Sequence, residues 1–165
     1  MKPSFPSTGS ERFETPAETQ AWGEQLGQAL EPGDVVILDG PLGAGKTTLT
    51  QGIARGMQVK GRVTSPTFVI AREHRSLIGG PELVHVDAYR LLDSGVDPSG
   101  ALDSLDLDTD LLDAVVIAEW GGGLVEQIAD EYLFISLDRT TAFEADPESE
   151  ARIVSWERRA GVSTQ

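Results

Sequence analysis

The stretch that decides the fold is residues 40–47, Gly-Pro-Leu-Gly-Ala-Gly-Lys-Thr. It follows the apolar run Val-Val-Ile-Leu at 35–38, which is typical of a buried parallel strand. It precedes a predicted helix from about residue 46 to 55, which Gly56 is expected to stop. A strand, a glycine-rich turn and a helix form the context in which the pattern G-x-x-x-x-G-K-[ST] binds phosphate. The sequence therefore predicts a phosphate-binding loop.

The residue types of this loop suit a phosphate group. Glycines let successive backbone N–H groups turn toward phosphate oxygens, and the helix N-terminus adds roughly half a positive charge. We expect Lys46 to reach the β- and γ-phosphates and the hydroxyl of Thr47 to bind Mg²⁺, while Thr48 is either an α-phosphate contact or an ordinary helix residue. The predicted nucleotide-binding residues of this segment are Leu42, Gly43, Ala44, Gly45, Lys46, Thr47 and Thr48.

Two further apolar strands each end in a carboxylate, at Asp87 and at Glu119. A nucleoside triphosphatase needs such an acid to hold Mg²⁺ directly or through water. If both converge, one would bind the metal and the other would orient or deprotonate the attacking water, and the pattern leaves that assignment open. Trp120 either stacks on a nucleobase at the rim of the sheet or packs in the core. For His85 a structural role is expected.

The rest of the chain alternates predicted helices and strands. Thr-Pro-Ala-Glu at 15–18 has a capping-box pattern that begins an amphipathic helix. The remaining predicted elements are strands at 67–71 and 83–87 joined as a hairpin by Gly-Gly-Pro at 79–81, short helical pieces within 93–113, a strand at 114–118, and closing strands at 133–137 and 153–156 around an acidic loop at 140–150.

This order predicts one compact α/β domain over residues 11–158, with a mostly parallel sheet that includes antiparallel strands and is flanked by helices. Residues 1–10 are expected to be a frayed, disordered tail, and residues 159–165 a C-terminal tail. A length of 165 residues fits a single domain with its own core.

Composition excludes several classes of function. The formal net charge is −14, which argues against a free-standing DNA, RNA or anionic-membrane binder. The longest apolar run spans five residues, 114–118, far short of the ~20 of a membrane helix. There are no cysteines, which fits a reducing cytoplasm. A stretch at 40–72 carries net charge +5, whereas 91–138 holds twelve acids and no Lys or Arg.

The assembled motifs resemble the TsaE family, the bacterial ATPases of tRNA threonylcarbamoyladenosine biosynthesis. The resemblance extends from about residue 15 to 156. It is carried by four blocks in the family's order: Gly-Ala-Gly-Lys-Thr-Thr at 43–48, Ser-Pro-Thr-Phe at 65–68, His-Val-Asp-Ala-Tyr-Arg at 85–90 and Glu-Trp at 119–120.

The resemblance implies a compact P-loop ATPase that binds ATP or ADP with Mg²⁺. By that resemblance Thr47 and Glu119 hold the metal and Trp120 contacts the adenine. Asp87 lies by the γ-phosphate as a catalytic or metal-linked carboxylate, beside the catalytic Lys46. Thr67 would be a switch residue that senses the γ-phosphate; otherwise it belongs to an ordinary turn that opens a strand.

The resemblance also implies a pathway and partners. Hydrolysis would support turnover of a complex with TsaB- and TsaD-like proteins, which forms N6-threonylcarbamoyladenosine at position 37 of tRNAs reading codons that begin with A. Contact with tRNA would be indirect. Hydrolysis by the chain alone is expected to be slow, because no motif marks an intrinsic arginine finger.

Two other functions fit the phosphate-binding loop. One is a nucleotide-gated interaction module that binds ATP and hardly hydrolyses it. The other is a small-molecule P-loop kinase, which needs an arginine-bearing lid that residues 91–138 do not supply. A GTPase is disfavoured, because no guanine-reading Asn-Lys-x-Asp segment occurs in the sequence.

Overall fold

The computed structural model describes residues 1–41, 43–61, 63, 71–87, 113–119 and 131–160. In that part of the chain the strands are β1 (Thr8–Phe13), β2 (Val35–Asp39), β3 (Ala71–His74), β4 (Glu82–Asp87), β5 (Ala114–Glu119), β6 (Glu131–Asp138) and β7 (Arg152–Ala160). The helices are α1 (Pro16–Ala29), α2 (Lys46–Met57) and α3 (Thr140–Ala145).

The strands form one mixed sheet in the order β1-β7-β6-β2-β5-β4-β3. The central strands β6, β2, β5 and β4 pair in parallel, and antiparallel strands lie at both edges. Every residue of β5 is buried, as expected for a parallel strand covered on both faces. The sheet confirms the predicted α/β class. The carboxyl ends of its four parallel strands all lie at the same end of the sheet, which is called the carboxyl edge.

Helix α1 begins where its capping pattern predicts. The Oγ1 of Thr15 accepts a hydrogen bond from the N–H of Glu18, and the carboxylate of Glu18 accepts one from the N–H of Glu14. Trp22 and Leu26 are buried in a core that α1 and α2 share with one face of the sheet. The amphipathic helix predicted from the sequence is therefore confirmed.

Helix α2 does not stop at Gly56, and this prediction is wrong. The helix continues to Met57, and Gln58 ends it in the left-handed region at φ 54°. Gly56 instead lies where α1 and α2 approach most closely, because a Cβ atom there would overlap the backbone carbonyl of Glu24. Gly27 and Gly52 have the same relation to backbone carbonyls of the facing helix.

Gly56→Ala is expected to destabilise the protein by about 2 kcal/mol. Overpacking a tight core contact costs about 1–3 kcal/mol, and a direct overlap with backbone belongs at the upper end of that range, while the gain in helix propensity from Gly to Ala offsets about 1 kcal/mol. The clash is with backbone, which has no rotamer to relieve it. Urea denaturation followed by tryptophan fluorescence measures the change, and Gly80→Ala, where a Cβ meets only ordinary contacts, is the control. An unchanged midpoint for Gly56→Ala would contradict the close packing.

The first ten residues are not a frayed tail. Strand β1 begins at Thr8 and pairs antiparallel with β7 over six residue pairs. The ring of Phe5 lies 5.8 Å from that of Trp22 and 6.3 Å from that of Trp156. A strand whose only half-buried residues are Gly9 and Phe13 shows little apolar alternation, so its pairing depends on β7, far along the chain.

Other predicted elements divide into those confirmed and those not described. The antiparallel pairing of β3 with β4 confirms the predicted hairpin connection, but β3 shares only residue 71 with the strand predicted at 67–71. The closing strands β6 and β7 are confirmed. The short helix α3 lies within the segment predicted as an acidic loop. Residues 67–70 of a predicted strand, the helical pieces predicted up to residue 112 and residues 161–165 of the predicted C-terminal tail lie outside the described part of the chain. Residues 159 and 160 of that tail instead belong to β7, so the prediction places the start of the tail too early.

None of the helices that the structure describes combines the length and apolar character needed to cross a membrane.

Candidate phosphate-binding site

The glycine-rich loop follows β2 at the carboxyl edge of the sheet. Gly43 has φ +80° and Gly45 has φ +103°, a region that residues with a Cβ rarely adopt. The N–H of Ala44 donates to the carbonyl of Pro41 at 3.0 Å, which closes the turn. Gly45 is the N-cap of α2 and supplies no side-chain hydrogen bond, so the first N–H groups of the helix are left to an anion.

Lys46 lies behind this loop with only 7% of its surface exposed. Its Nζ donates to the carbonyl of Gly40, the first residue of the loop, at 2.7 Å. The side chain of Lys46 therefore connects the last part of the loop to its first residue. A buried lysine is costly unless it meets an acceptor or an anion, and this position provides the carbonyl and suits a phosphate. Thr47 and Thr48 follow on the first turn of α2 and are half-buried.

Glu119 ends β5 next to β2, and the residue is 5% exposed. Its Oε1 has no hydrogen-bond partner in the described residues, and the Nε2 of His85 lies 3.5 Å away. The two atoms lie within ion-pair distance, but no hydrogen bond joins them. His85 is fully buried, and neither of its ring nitrogens has a hydrogen-bond partner in this part of the structure. A buried carboxylate oxygen without a donor is an unusual feature that suits a bound cation.

Two arginines from the far end of the chain adjoin the loop. The Nε of Arg152 donates to the carbonyl of Ala44 at 3.1 Å, and its Nη2 donates to that of Gly43 at 3.4 Å. The Nη1 of Arg139 lies 2.8 Å from where a Cβ of Gly43 would stand. Neither residue was predicted from the sequence. Contacts across about a hundred residues leave no local pattern, and no sequence signal points to them.

The turn that carries Arg139 is fixed by Asp138, the last residue of β6. The hydroxyl and N–H of Thr141, together with the N–H of Thr140, donate to the carboxylate of Asp138 and lower its pKa below the usual value. The guanidinium of Arg139 stacks over the ring of Phe143 at 5.8 Å. This turn therefore lies in a defined position at the carboxyl edge.

The structure brings together only part of the predicted site. Lys46 begins the helix that follows β2, Glu119 ends β5, which pairs with β2, and the register places Asp87 opposite Glu119 at the last pair of β4 and β5. Leu42, Thr67 and Trp120 lie outside the described residues. The roles given to these three residues, and to the side chain of Asp87, stay predictions.

A glycine-rich loop between a central parallel strand and the uncapped N-terminus of a helix, with a buried lysine behind it, defines a phosphate-binding-loop protein of the α/β class. The model of one family, described as "Threonylcarbamoyl adenosine biosynthesis protein TsaE", matches residues 13–147. The chain belongs to the TsaE family.

Curated relatives agree with this assignment. A tRNA threonylcarbamoyladenosine biosynthesis protein TsaE of Mycobacterium tuberculosis (strain ATCC 25618 / H37Rv) is 52% identical over 141 residues, which cover 84% of this chain and 80% of the relative. The protein of that description from Bacillus subtilis (strain 168) is 38% identical over 129 residues, 78% of this chain and 76% of its own length. The crystal structure of YdiB from Bacillus subtilis has a TM-score of 0.67 at 29% identity and covers 93% of this chain and 86% of that one.

Proposed function

We propose that this chain is a Mg²⁺-dependent ATPase that supports formation of N6-threonylcarbamoyladenosine at position 37 of tRNA. The observation that carries the proposal is the placement of buried Lys46 behind an uncapped helix N-terminus, with buried Glu119 at the end of the adjoining strand. A positive loop beside a carboxylate suits a nucleoside triphosphate with its cation better than it suits a simple anion.

The residues at this edge fit Mg²⁺. Mg²⁺ takes oxygen ligands, and Thr47 offers a hydroxyl while Glu119 offers a buried carboxylate oxygen without a hydrogen-bond donor among the described residues. These two residues would hold the ion. When bound, Mg²⁺ neutralises charge on the β- and γ-phosphates.

The chain's own residues contribute binding and orientation. The N–H groups at the start of α2 and the ammonium group of Lys46 would hold the phosphates in place. Asp87 and Glu119 end paired strands, so one carboxylate is available to the metal and the other to the attacking water. Trp120 would stack on adenine, and Thr67 would sense the γ-phosphate.

The pathway is supported by family membership and by the names of the relatives. We infer that the chain acts in the cytoplasm with TsaB- and TsaD-like proteins and contacts tRNA only through them. The net charge of −14 supports this indirect contact, because a strongly acidic chain is repelled by the tRNA backbone.

Phosphate release from ATP, measured with and without the TsaB- and TsaD-like proteins of the same organism, tests the enzymatic part. We expect slow release by the chain alone and faster release with the partners, both lost when EDTA removes Mg²⁺. Tight ATP binding without release under either condition would instead favour the nucleotide-gated interaction module. Phosphate transfer to a small-molecule acceptor would favour the kinase.

Depletion of the protein in its own cells tests the pathway. The content of threonylcarbamoyladenosine in bulk tRNA, measured by mass spectrometry of nucleosides, is expected to fall. Restoring the wild-type chain should restore the modification, and restoring a Lys46→Ala chain should not. Unaltered modification after depletion would contradict the pathway assignment without affecting the ATPase proposal.

A further inference from the structure

Arg152, the first residue of β7, is hydrogen-bonded to Gly43 and Ala44, which form the crest of the phosphate-binding loop. Its guanidinium donates from Nε to Ala44 and from Nη2 to Gly43, and its Nη1 donates to the carbonyl of Ala151 at 2.9 Å. Of the described strands, β3 to β6 separate the loop from β7 in the chain, and in the sheet only β6 lies between β2 and β7. One side chain therefore connects the last strand to the backbone of the loop.

The two carbonyls that Arg152 binds belong to the peptide groups that shape the loop. A peptide group is planar, so fixing the carbonyl of Gly43 also fixes the N–H of Ala44, and fixing the carbonyl of Ala44 fixes the N–H of Gly45. In a trans peptide the N–H points away from the carbonyl. The N–H of Gly45 therefore points away from Arg152, on the side opposite to β7.

A glycine-rich loop needs such support. Gly43 and Gly45 have few steric limits, so a free loop would sample many orientations of these peptide groups before binding a ligand. Binding would then carry the entropic cost of ordering the loop. A loop that is already held in its binding conformation avoids this cost. A planar guanidinium with donors in a fixed fork is suited to hold two carbonyls at once.

We propose that Arg152 is a positioning residue that holds the crest of the phosphate-binding loop in its binding conformation before nucleotide arrives. This inference rests on the proposed function, because it concerns the affinity of the same loop for nucleotide. Arg152 acts through the carbonyls of Gly43 and Ala44 and does not itself touch phosphate.

Arg139 distinguishes positioning from a general effect of positive charge. Its guanidinium also lies close to Gly43, yet among the described residues it stacks on Phe143 and donates no hydrogen bond to the loop. Removing Arg139 changes the local charge by the same amount as removing Arg152. It leaves both loop hydrogen bonds in place, so Arg139→Gln is a matched control.

The test measures the dissociation constant for Mg-ADP by isothermal titration calorimetry. Loss of two hydrogen bonds is expected to weaken binding about tenfold in Arg152→Ala and in Arg152→Gln. Arg152→Lys keeps the charge but lacks the fork, so it should bind nearly as weakly as Arg152→Gln. Arg139→Gln should stay within about twofold of wild type. Guanidinium chloride at a low, non-denaturing concentration should restore binding to Arg152→Ala, whereas sodium chloride at the same concentration should not.

Each result decides between positioning and its alternatives. Equal losses in Arg139→Gln and Arg152→Gln, or full affinity in Arg152→Lys, would overturn positioning in favour of charge. Wild-type affinity in Arg152→Ala would overturn any role, and failure of guanidinium to restore binding would indicate a structural defect. If Arg152→Ala does not fold, Arg152→Gln and Arg152→Lys carry the test. Wild-type protein that binds no Mg-ADP would contradict the proposed function instead.

Discussion

Lys46→Ala is expected to weaken binding of Mg-ATP and Mg-ADP by about 100-fold, because a charge-assisted contact to phosphate is among the strongest hydrogen bonds that a side chain makes. The substitution removes a buried ammonium group and also its hydrogen bond to the carbonyl of Gly40. Both losses affect the loop. Binding is measured by calorimetry at fixed ionic strength, because phosphate contacts weaken as salt screens them.

Lys60→Ala is the control for this prediction. Lys60 lies in the same positively charged stretch, and it is exposed. Its removal changes the net charge by the same amount without changing the loop, so affinity should stay within about twofold. Equal affinities of Lys46→Ala and wild type would mean that the loop does not bind phosphate, and the proposed function would fail with it.

The sequence predicts the centre of this fold better than its edges, for a physical reason. The continuous apolar runs of β2 and β5 are buried on both faces, so their composition alone indicates parallel strands. Strand β1 lies at one edge and carries mostly exposed polar residues, so only its partner β7 defines it as a strand. Local sequence cannot report a pairing between residues that lie more than a hundred positions apart.

Gly56 illustrates a second limit of prediction. A glycine after a helical segment usually ends the helix, and the sequence favours that interpretation. In the structure the absence of a Cβ serves the contact between α1 and α2, and Gln58 adopts the left-handed conformation instead. The choice depends on what the glycine faces, which is a tertiary property.

The candidate site also has a part that the sequence predicts and a part that it does not. The loop is predicted because it has a local sequence motif, and Glu119 because it ends an apolar strand. The hydrogen bonds of Arg152 are not predictable, because a guanidinium reaches the loop only after β6 and β7 have paired beside β2. The short distance between His85 and Glu119 also depends on the register of β4 against β5, which places His85 two positions from the residue opposite Glu119.

Glu119→Gln is expected to keep nucleotide binding within a few-fold of wild type and to lower partner-stimulated phosphate release by at least about 100-fold. The amide has the shape of the carboxylate but lacks the charge that would hold Mg²⁺ or orient water. Because Glu119 is 5% exposed and its Oε1 has no hydrogen-bond donor among the described residues, its neutral replacement should also leave the protein equally or more stable without nucleotide. Activity is therefore expected to fall without a loss of stability.

Phosphate release and urea denaturation measure these two effects on the same preparation. Glu131→Gln, at the exposed start of β6, is the matched control and should alter neither. A Glu119→Gln variant that lost activity together with stability would indicate a structural carboxylate, whose charge supports packing around His85. A variant that hydrolyses ATP at the wild-type rate would exclude Glu119 from the reaction and make Asp87 the next carboxylate to test.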